Sequence, residues 1–546
     1  MKKINQYKLL VAFCILPCWA SCDYEEVNTN PYEVTDEEAN RDGVAVGGSI
    51  MSLARQVFPV GTPANKTDII NEYQTSFNVS ADVWSGYFSQ NNNWYSGSNH
   101  LTYYLQDDWT SSTYTSTYTK AYASWKKIKE NAEETGNMAN YALAQILKIS
   151  CWHKALETFG PIPYTYAGEG LLVVPYDTEQ EVYTAMFNDL KSAITELTSL
   201  ANSGAKVMED FDLVYAGDPV KWVKYANSLM LRLAMRLKYC APDMAKQWAH
   251  EALNHSVGVM TAKDDEAKIS PNANYAFDNN IAYLASNYQE CRMGTSMYAY
   301  LQGYKDPRMS KYFTSIKQEN SLPGFDGNWY APVPPGHTMG KGEYTDCSQP
   351  NMTGSTPTYW MRASEMYFLR AEAALEWPEF GDAEALYKQG IQMSFDENGV
   401  STSVDSYITG AGAPVFVRVQ SPKNSYLASE PTTATPAFEG SQEEKLEKIM
   451  IQKWIALYPN GQEAWTEWRR TGYPKLHQVQ ENRGSANGIT KDKGIRRMVY
   501  PISFSQSAED RANYEDAISK LKDKTDKATS RLWWDCLLYT SPSPRD

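Results

Sequence analysis

The chain has 546 residues, a formal net charge of -14 and a sequence pI of about 5.1. Hydrophobic residues make up 42% and charged residues 21%, which is typical of a folded globular protein. An acidic chain in which Lys and Arg are scattered or form only short clusters such as Arg496-Arg497 repels phosphate backbones, which argues against nucleic acid as a partner. Tyrosine occurs 38 times against 16 Phe, and this excess favours aromatic contacts at a wet recognition surface.

Residues 1–21 are predicted to form a secretory signal peptide. A lysine-rich start precedes the apolar stretch 9–16, which is too short to span a bilayer. Small residues directly before Cys22 resemble a bacterial lipobox, with Trp19 at the position where Leu is usual. Cys22 is therefore predicted to be lipidated, and the alternative is plain cleavage that leaves its thiol free. The polar residues 22–40 predict a flexible tether behind the lipid anchor.

Helical periodicity dominates the body of the chain. Apolar residues three and four positions apart predict a helix over 140–159, which Gly160-Pro161 ends. Asp218 followed by Pro219 is typical of a capped helix start. Similar patterns predict further helices over 243–253, 361–376, 382–393, 443–457, 463–470 and 508–521.

These helices predict a mostly α fold, built as a tetratricopeptide-like helix-pair scaffold. One domain is predicted over residues 41–535. Long polar loops are expected over 77–118, 272–333 and 400–440, a few of them carrying short β-hairpins. Residues 536–546 have no apolar period and look like translated adapter sequence, so they are predicted to be a non-native tail.

Motifs of enzymes and cofactor sites are absent from the sequence. It contains no Walker loop, no GxGxxG after a strand and no GxSxG elbow, so no catalytic residue and no cofactor are predicted. His255 lies five positions after His250, off the face that a zinc helix would share, so no metal site is predicted. Acid pairs such as Asp107-Asp108 could serve a glycosidase, but adjacency does not set the carboxylate separation that such an enzyme requires.

Five segments of the chain form a recognisable set. They are the lipobox-like start, ETFGPIPY at 157–164, WVKYANSLMLRLAMR at 222–236, YWMRASEMYFLRAEAA at 359–374 and IQKWIALYPNGQEAWTEWRRTGYPKL at 451–476, the most specific of them. Together they resemble the SusD/RagB family of outer-membrane nutrient-binding lipoproteins. The resemblance implies that Arg469 and Arg470, flanked by Trp465 and Trp468, belong to the scaffold and do not contact ligand.

The resemblance also implies a function. Proteins of this family are lipid-anchored on the outer face of the outer membrane. They capture an oligosaccharide, sometimes a peptide, and pass it to a SusC-type TonB-dependent porin without catalysis. Capture of glycans is therefore the leading hypothesis, and a peptide-binding member of the same family is the alternative. A secreted glycosidase is the third hypothesis.

The loop 77–118 carries the first candidate ligand residues, because it interleaves aromatic side chains with amides. Sugars present apolar C–H faces and a rim of hydroxyls, which flat rings and amides match. Ligand contacts are predicted at Trp94, Tyr95, Asn92 and Asn93. A second candidate group, from the middle loops, comprises Tyr283, Tyr288, Trp329 and Tyr330. Trp84 and Trp109 are instead expected to anchor the first loop to the core.

Overall fold

The computed structural model describes residues 43–171, 173–318, 321–420 and 424–536. The predicted signal peptide, the tether with Cys22 and, apart from Cys536, the predicted tail lie outside these residues. From Ser49 onward the described residues form one compact unit, and the few described residues before Ser49 group separately. None of the helices within the described ranges is both long enough and apolar enough to cross a membrane.

Helices make up most of the regular structure. The α-helices are α1 Val44–Val57, α2 Ile70–Tyr73, α3 Ala81–Trp84, α4 Asp107–Tyr114, α5 Lys120–Thr135, α6 Met138–Phe159, α7 Glu179–Ser203, α8 Pro219–Arg236, α9 Pro242–Asn254, α10 Asn280–Ser286, α11 Thr295–Gly303, α12 Met309–Tyr312, α13 Ala363–Glu376, α14 Ala383–Glu397, α15 Val404–Gly410, α16 Gln442–Leu457, α17 Gly461–Thr471 and α18 Ala508–Ser519. The strands are β1 Phe88–Gln90, β2 Ala267–Ile269, β3 Cys291–Met293, β4 Leu322–Pro323, β5 Trp329–Tyr330, β6 Thr358–Met361, β7 Val417–Gln420 and β8 Ser425–Ala428.

The long helices pack in chain order, each against the next. This series runs from α5 through α6, α7 and α8 to α9, and a second pair, α13 and α14, packs against α16. Helices that each pack against the next one in the chain are the arrangement that defines helix-pair solenoids. The predicted mostly α, helix-pair scaffold is therefore confirmed.

Local capping explains where the scaffold helices begin. The Asp218 carboxylate accepts hydrogen bonds from the backbone N–H groups of Val220 and Lys221, as its position before Pro219 predicted. The helix α7 was missed by the sequence analysis, although Thr178 and Glu181 form a capping box at its start. This capping box could have been recognised in the sequence, because apolar residues at helical spacing follow it.

The regions predicted as long loops contain more regular structure than expected. The first holds α3, β1 and α4, and the second holds α10 to α12 with β3, β4 and β5. All the described strands pair in two-stranded antiparallel sheets, of which β4–β5 and β7–β8 are the expected short hairpins. Elements of two to four residues are set by their tertiary partners, so a single-sequence pattern cannot reveal them.

Buried ion pairs join helices that are far apart in the chain. The side chain of Arg236, in α8, is fully buried. It donates to Glu157 of α6 at 3.0 Å and to Glu463 of α17 at 2.6 Å. Arg470 of α17 forms a two-bond fork with the Glu372 carboxylate of α13, at 2.8 and 2.7 Å. A buried charge is tolerated only when it is paired and hydrogen-bonded, so these contacts fix how the helices meet.

Replacing Glu372 tests this network. Burial alone would raise the pKa of Glu372, but Arg470 and Lys238 outweigh it and hold that pKa at about 2. The folded pKa lies below the unfolded value, so this carboxylate stabilises the protein above about pH 4.5 and the contribution is lost as pH falls towards 2. We expect Glu372→Gln to lower the free energy of unfolding by about 3–5 kcal/mol at pH 7. It should also flatten the pH dependence of urea-unfolding midpoints between pH 4.5 and 2.

The matched control is Glu376→Gln, one helical turn away on α13, where the side chain is 39% exposed and pairs with Lys238 at 3.4 Å. Glu376→Gln should change the urea-unfolding midpoint little, both at pH 7 and at acidic pH. Equal effects of the two substitutions would contradict the assignment of Glu372 to a stabilising buried pair.

Candidate functional site

Antiparallel pairing brings the two candidate regions of the sequence together. Strand β1 pairs with β3 so that Gln90 lies opposite Cys291. The next backbone N–H, that of Asn91, donates to the Glu290 carbonyl at 2.7 Å. The first loop therefore leaves β1 beside the segment that precedes β3, which carries Tyr283 and Tyr288.

The backbone at the tip of the first loop adopts an unusual conformation. Tyr95 and Ser96 both have φ of +54°, and Gly97 follows with φ of +84°. Left-handed backbone costs an L-residue of order 1–3 kcal/mol, and such residues persist only where the surroundings hold them. Here the Asn99 side-chain amide donates to the Trp94 carbonyl at 2.7 Å and helps to close the turn. The strained turn directs the Tyr95 ring outward, where it is 50% exposed.

Three aromatic side chains form a small surface cavity of about 220 Å³. Its walls are Trp94, Tyr95 and Trp109, together with Gln74 and Thr75 from the helical turn after α2. Trp109 contacts the other two rings edge to face, with centroid distances of 5.8 Å to Trp94 and 5.6 Å to Tyr95. Flat apolar walls beside an amide and a hydroxyl are the surface that a sugar ring requires.

The aromatic walls are supported from beneath. Trp94 packs on a buried cluster that contains Trp109 and Leu101. Trp84 is 7% exposed and Trp109 is 5% exposed, and the Trp84 indole N–H donates to the His100 carbonyl at 2.9 Å. Trp84 and Trp109 thus anchor the loop as expected, and Trp109 is in addition a wall of the cavity.

Hydrogen bonds fix the polar groups around the cavity. The Tyr95 hydroxyl donates to the Asp108 carboxylate at 2.6 Å, a bond that raises the pKa of Tyr95. Behind the aromatic walls, burial lowers the pKa of His100 to about 4, so this imidazole is neutral at physiological pH. The ring of His100 lies 5.1 Å from that of Trp109.

The predicted residues Asn92 and Asn93 brace the loop. The Asn92 amide donates to the Glu290 carboxylate at 2.7 Å, and the same carboxylate accepts from Gln74 at 2.6 Å. The Asn93 amide donates to the Thr338 carbonyl at 3.0 Å. These amides connect the first loop to neighbouring segments, and neither lines the cavity formed by Trp94, Tyr95 and Trp109.

Tyr283 and Tyr288 lie beside this cavity. Their rings contact each other edge to face at 5.4 Å, and the Tyr288 hydroxyl donates to the Asn71 amide oxygen at 3.0 Å. Asn71 and Thr75 are one helical turn apart, and the Thr75 hydroxyl donates to the Asn71 carbonyl. The tyrosine pair is thus linked through Asn71 to the helical turn that carries Thr75.

Trp329 and Tyr330 belong to a different part of the structure. Both lie in β5, and Tyr330 is fully buried, with its hydroxyl donating to Asp326 at 2.8 Å. The adjacent Ala331 lines a separate cavity of about 680 Å³. Within the described ranges, no contact joins Trp329 or Tyr330 to Trp94 or Tyr95.

The fold and the cavity define a helix-pair scaffold that presents an aromatic cavity on a braced loop. The family described as SusD-like, "Susd and RagB outer membrane lipoprotein", matches residues 26–535. The chain therefore belongs to the SusD/RagB family of outer-membrane lipoproteins, as its segments predicted.

Solved structures support the same assignment. A chitin-binding SusD homologue from Flavobacterium johnsoniae is 34% identical, and the match covers 90% of this chain and 99% of that chain with a TM-score of 0.81. A SusD homologue from Bacteroides uniformis is 31% identical, with coverage of 90% and 99% and a TM-score of 0.80. One from Bacteroides vulgatus is also 31% identical, with coverage of 91% and 99% and a TM-score of 0.81. A comparison with curated proteins found no match.

The structure adds site residues that sequence reasoning missed. Gln74 and Thr75 line the cavity from a π-helical turn, and no residue pattern in the sequence marks that turn. Trp109 could have been identified as a wall, because it lies in the same aromatic-rich segment as Trp94. Among the described residues, no group of His, Cys, Asp and Glu side chains is arranged to hold a metal ion.

Two substitutions distinguish a ring that supports the fold of the loop from a ring that only lines the cavity. We expect Trp109→Ala to lower the free energy of unfolding by about 3–5 kcal/mol, because it removes a buried ring and leaves a void. Trp94→Ala should cost clearly less, since Trp94 is only half-buried at the surface of the cluster. Urea unfolding followed by circular dichroism measures both. A Trp94→Ala variant as unstable as Trp109→Ala would identify Trp94 as another anchor.

Proposed function

We propose that this protein captures oligosaccharides at the surface of the outer membrane and passes them to a SusC-type TonB-dependent porin, without catalysis. The observation that carries the proposal is the cavity formed by Trp94, Tyr95 and Trp109, whose lining also includes Gln74 and Thr75. A sugar ring can stack on the exposed Tyr95 ring and the half-buried Trp94 ring, with its hydroxyls turned to the polar rim.

The braced loop favours capture by a preformed surface. The Tyr95 hydroxyl is held by Asp108, and the backbone on either side is held by Asn93 and Asn99. A surface that is ordered before binding loses little conformational entropy when ligand arrives. The cavity is smaller than the roughly 300–1,000 Å³ typical of enclosing ligand pockets, which suits contact with part of a longer chain.

Relatives and sequence support the location and the ligand class. The family description names outer-membrane lipoproteins, and Cys22 follows a signal-peptide pattern. We therefore propose that Cys22 carries the lipid, that the binding domain faces the exterior and that the lipid is its only membrane anchor. The Flavobacterium johnsoniae homologue is named as chitin-binding, which supports a glycan as the ligand here.

The binding test compares two tyrosines with equal exposure. Tyr95 and Tyr166 are each 50% exposed, but only Tyr95 lines the cavity. We expect Tyr95→Ala and Trp94→Ala to weaken binding of the best glycan from a plant and host oligosaccharide panel at least tenfold, which is about 1.4 kcal/mol. Tyr166→Ala should leave the affinity unchanged. Isothermal titration of protein lacking residues 1–22 measures each dissociation constant.

The outcomes separate the function from the site. Binding that is insensitive to both Tyr95→Ala and Trp94→Ala would retain glycan capture and reject this cavity as its site. No heat with any glycan would contradict glycan capture, and the same titrations with peptide mixtures would then test the peptide-binding alternative. Release of shortened products from a labelled oligosaccharide would contradict the non-catalytic assignment.

The anchor is tested separately in cells. We expect Cys22→Ala to abolish incorporation of labelled palmitate and to release the protein from the membrane fraction, because a stable anchor requires acyl chains on that thiol. Labelling that persists in the variant would show that Cys22 is not the modified residue.

A further inference from the structure

A second aromatic cavity lies at the other end of a row of rings that begins at the site of the proposed function. From Trp94 the row passes through Trp109 and His100 to Trp84 and Trp465. Successive ring centroids along it are 5.8, 5.1, 5.7 and 4.8 Å apart. Trp84 and Trp465, at the far end, line a cavity of about 280 Å³ that Trp94 and Tyr95 do not touch.

Trp468 gives this second cavity an accessible aromatic wall. It lies in α17, where every other residue is buried. Its neighbours Arg469 and Arg470 are fully buried, Arg469 with its guanidinium 3.4 Å from the Trp465 ring centroid. Trp468 therefore differs from the scaffold residues of the same motif, because its ring lines an opening to solvent.

Tyr103 and Gly494 complete a cradle around Trp468. Tyr103 adopts a left-handed backbone conformation with φ of +62°, as Tyr95 does in the first cavity. A β-carbon at Gly494 would lie 3.2 Å from the Tyr103 hydroxyl oxygen and 3.3 Å from a ring carbon of Trp468. Glycine thus leaves open the space between a phenol and an indole, which any side chain at this position would narrow.

Polar groups surround the aromatic walls. Exposed Lys475, Gln478 and Asp492 lie at the rim, and the Thr490 hydroxyl lowers the pKa of Asp492, which keeps it a carboxylate. Deeper in, the His477 Nδ1 is bonded to the Thr295 hydroxyl at 2.9 Å. The His477 Nε2 lies near the Ser429 backbone and makes no hydrogen bond of normal geometry with the described residues.

The chemistry of the lining favours an uncharged, hydroxyl-rich ligand. Burial lowers the pKa of His477 to about 4, so its ring is neutral at physiological pH and offers no cation deep in the cavity. Lys475, Lys491 and Asp492 place both signs of charge at the rim, which therefore offers no field of a single sign to a charged ligand. A hydroxyl can donate or accept, so it suits the Asp492 carboxylate and the Tyr103 phenol.

We propose that the cavity around Tyr103, Trp468 and Gly494, here called the second cavity, binds a neutral saccharide unit independently of the Trp94 cavity. The ligand class rests on the proposed function, but the site is separate from it. Where one long glycan spans both sites, the protein holds it more firmly than either site would alone. The reason is that the second contact becomes intramolecular once the first has formed.

The experiment titrates the purified protein with the shortest oligosaccharide that the wild type binds. Four variants are compared, namely Trp94→Ala, Trp468→Ala, the double variant and Trp377→Ala. Trp377 is the matched control, because it is half-buried like Trp468 and lines neither cavity. We expect Trp94→Ala and Trp468→Ala each to retain measurable binding. The double variant should lose at least a further tenfold in affinity relative to either of them. Trp377→Ala should bind as the wild type does.

The Trp468 ring packs 5.4 Å from the Arg496 guanidinium, so Trp468→Ala can also destabilise the fold. A more conservative variant is therefore tested beside it. Tyr103→Phe keeps the ring and removes the hydroxyl. In the Trp94→Ala background, it should weaken the residual binding at least threefold while the urea-unfolding midpoint stays that of the parent variant.

Each result decides between the two proposals. Complete loss of binding in Trp94→Ala would overturn the second cavity and leave glycan capture intact. So would residual binding that neither Trp468→Ala nor Tyr103→Phe weakens. Binding that depends only on Trp468 would support the second cavity and reject the Trp94 site. An absence of binding by the wild type to every glycan would overturn the proposed function and the second cavity together.

Discussion

Arg236 and Arg470 carry full charges in a part of the molecule that water does not reach. An unpaired charge there would cost several kcal/mol, so the carboxylates of Glu157, Glu463 and Glu372 must meet these guanidinium groups in the folded state. Apolar packing alone tolerates small shifts between helices, whereas a forked ion pair has a defined direction. The network therefore sets how α6, α8, α13 and α17 are placed relative to one another.

The position of α17 in turn determines where the first loop lies. Helix α3 packs against α17 so closely that a β-carbon at Gly461 would fall 2.3 Å from the Asp82 α-carbon. Trp84, at the end of α3, then meets the Trp465 ring at 4.8 Å. The aromatic row starts from that contact and continues to the Trp94 cavity. Packing between α3 and α17 thus positions the aromatic side chains that are proposed to contact ligand.

The sequence was most informative where a local rule determines the structure. The cap at Asp218 and the helix ending before Gly160 were predicted because their causes lie within a few neighbouring residues. The aromatic-rich segment also led to the prediction of Trp94 and Tyr95 as ligand contacts, and both line a cavity in the structure. The sequence could not show that Trp329 lies apart from Tyr283, because which middle-loop residues meet depends on tertiary pairing such as that of β1 with β3. The partial exposure of Trp468 was equally hidden, because the family resemblance assigned its motif to the scaffold.

The two cavities share a physical design. In each, a tyrosine with left-handed backbone, Tyr95 or Tyr103, is held beside a tryptophan by a turn that the surrounding contacts enforce. Strain of this kind is sustained by the folding free energy of the rest of the domain. Because the rings are held in place, a ligand at the proposed sites would bind without having to order them. The large buried core and its ion pairs support the proposed recognition, since they keep both tyrosines in left-handed conformations at the walls of the two cavities.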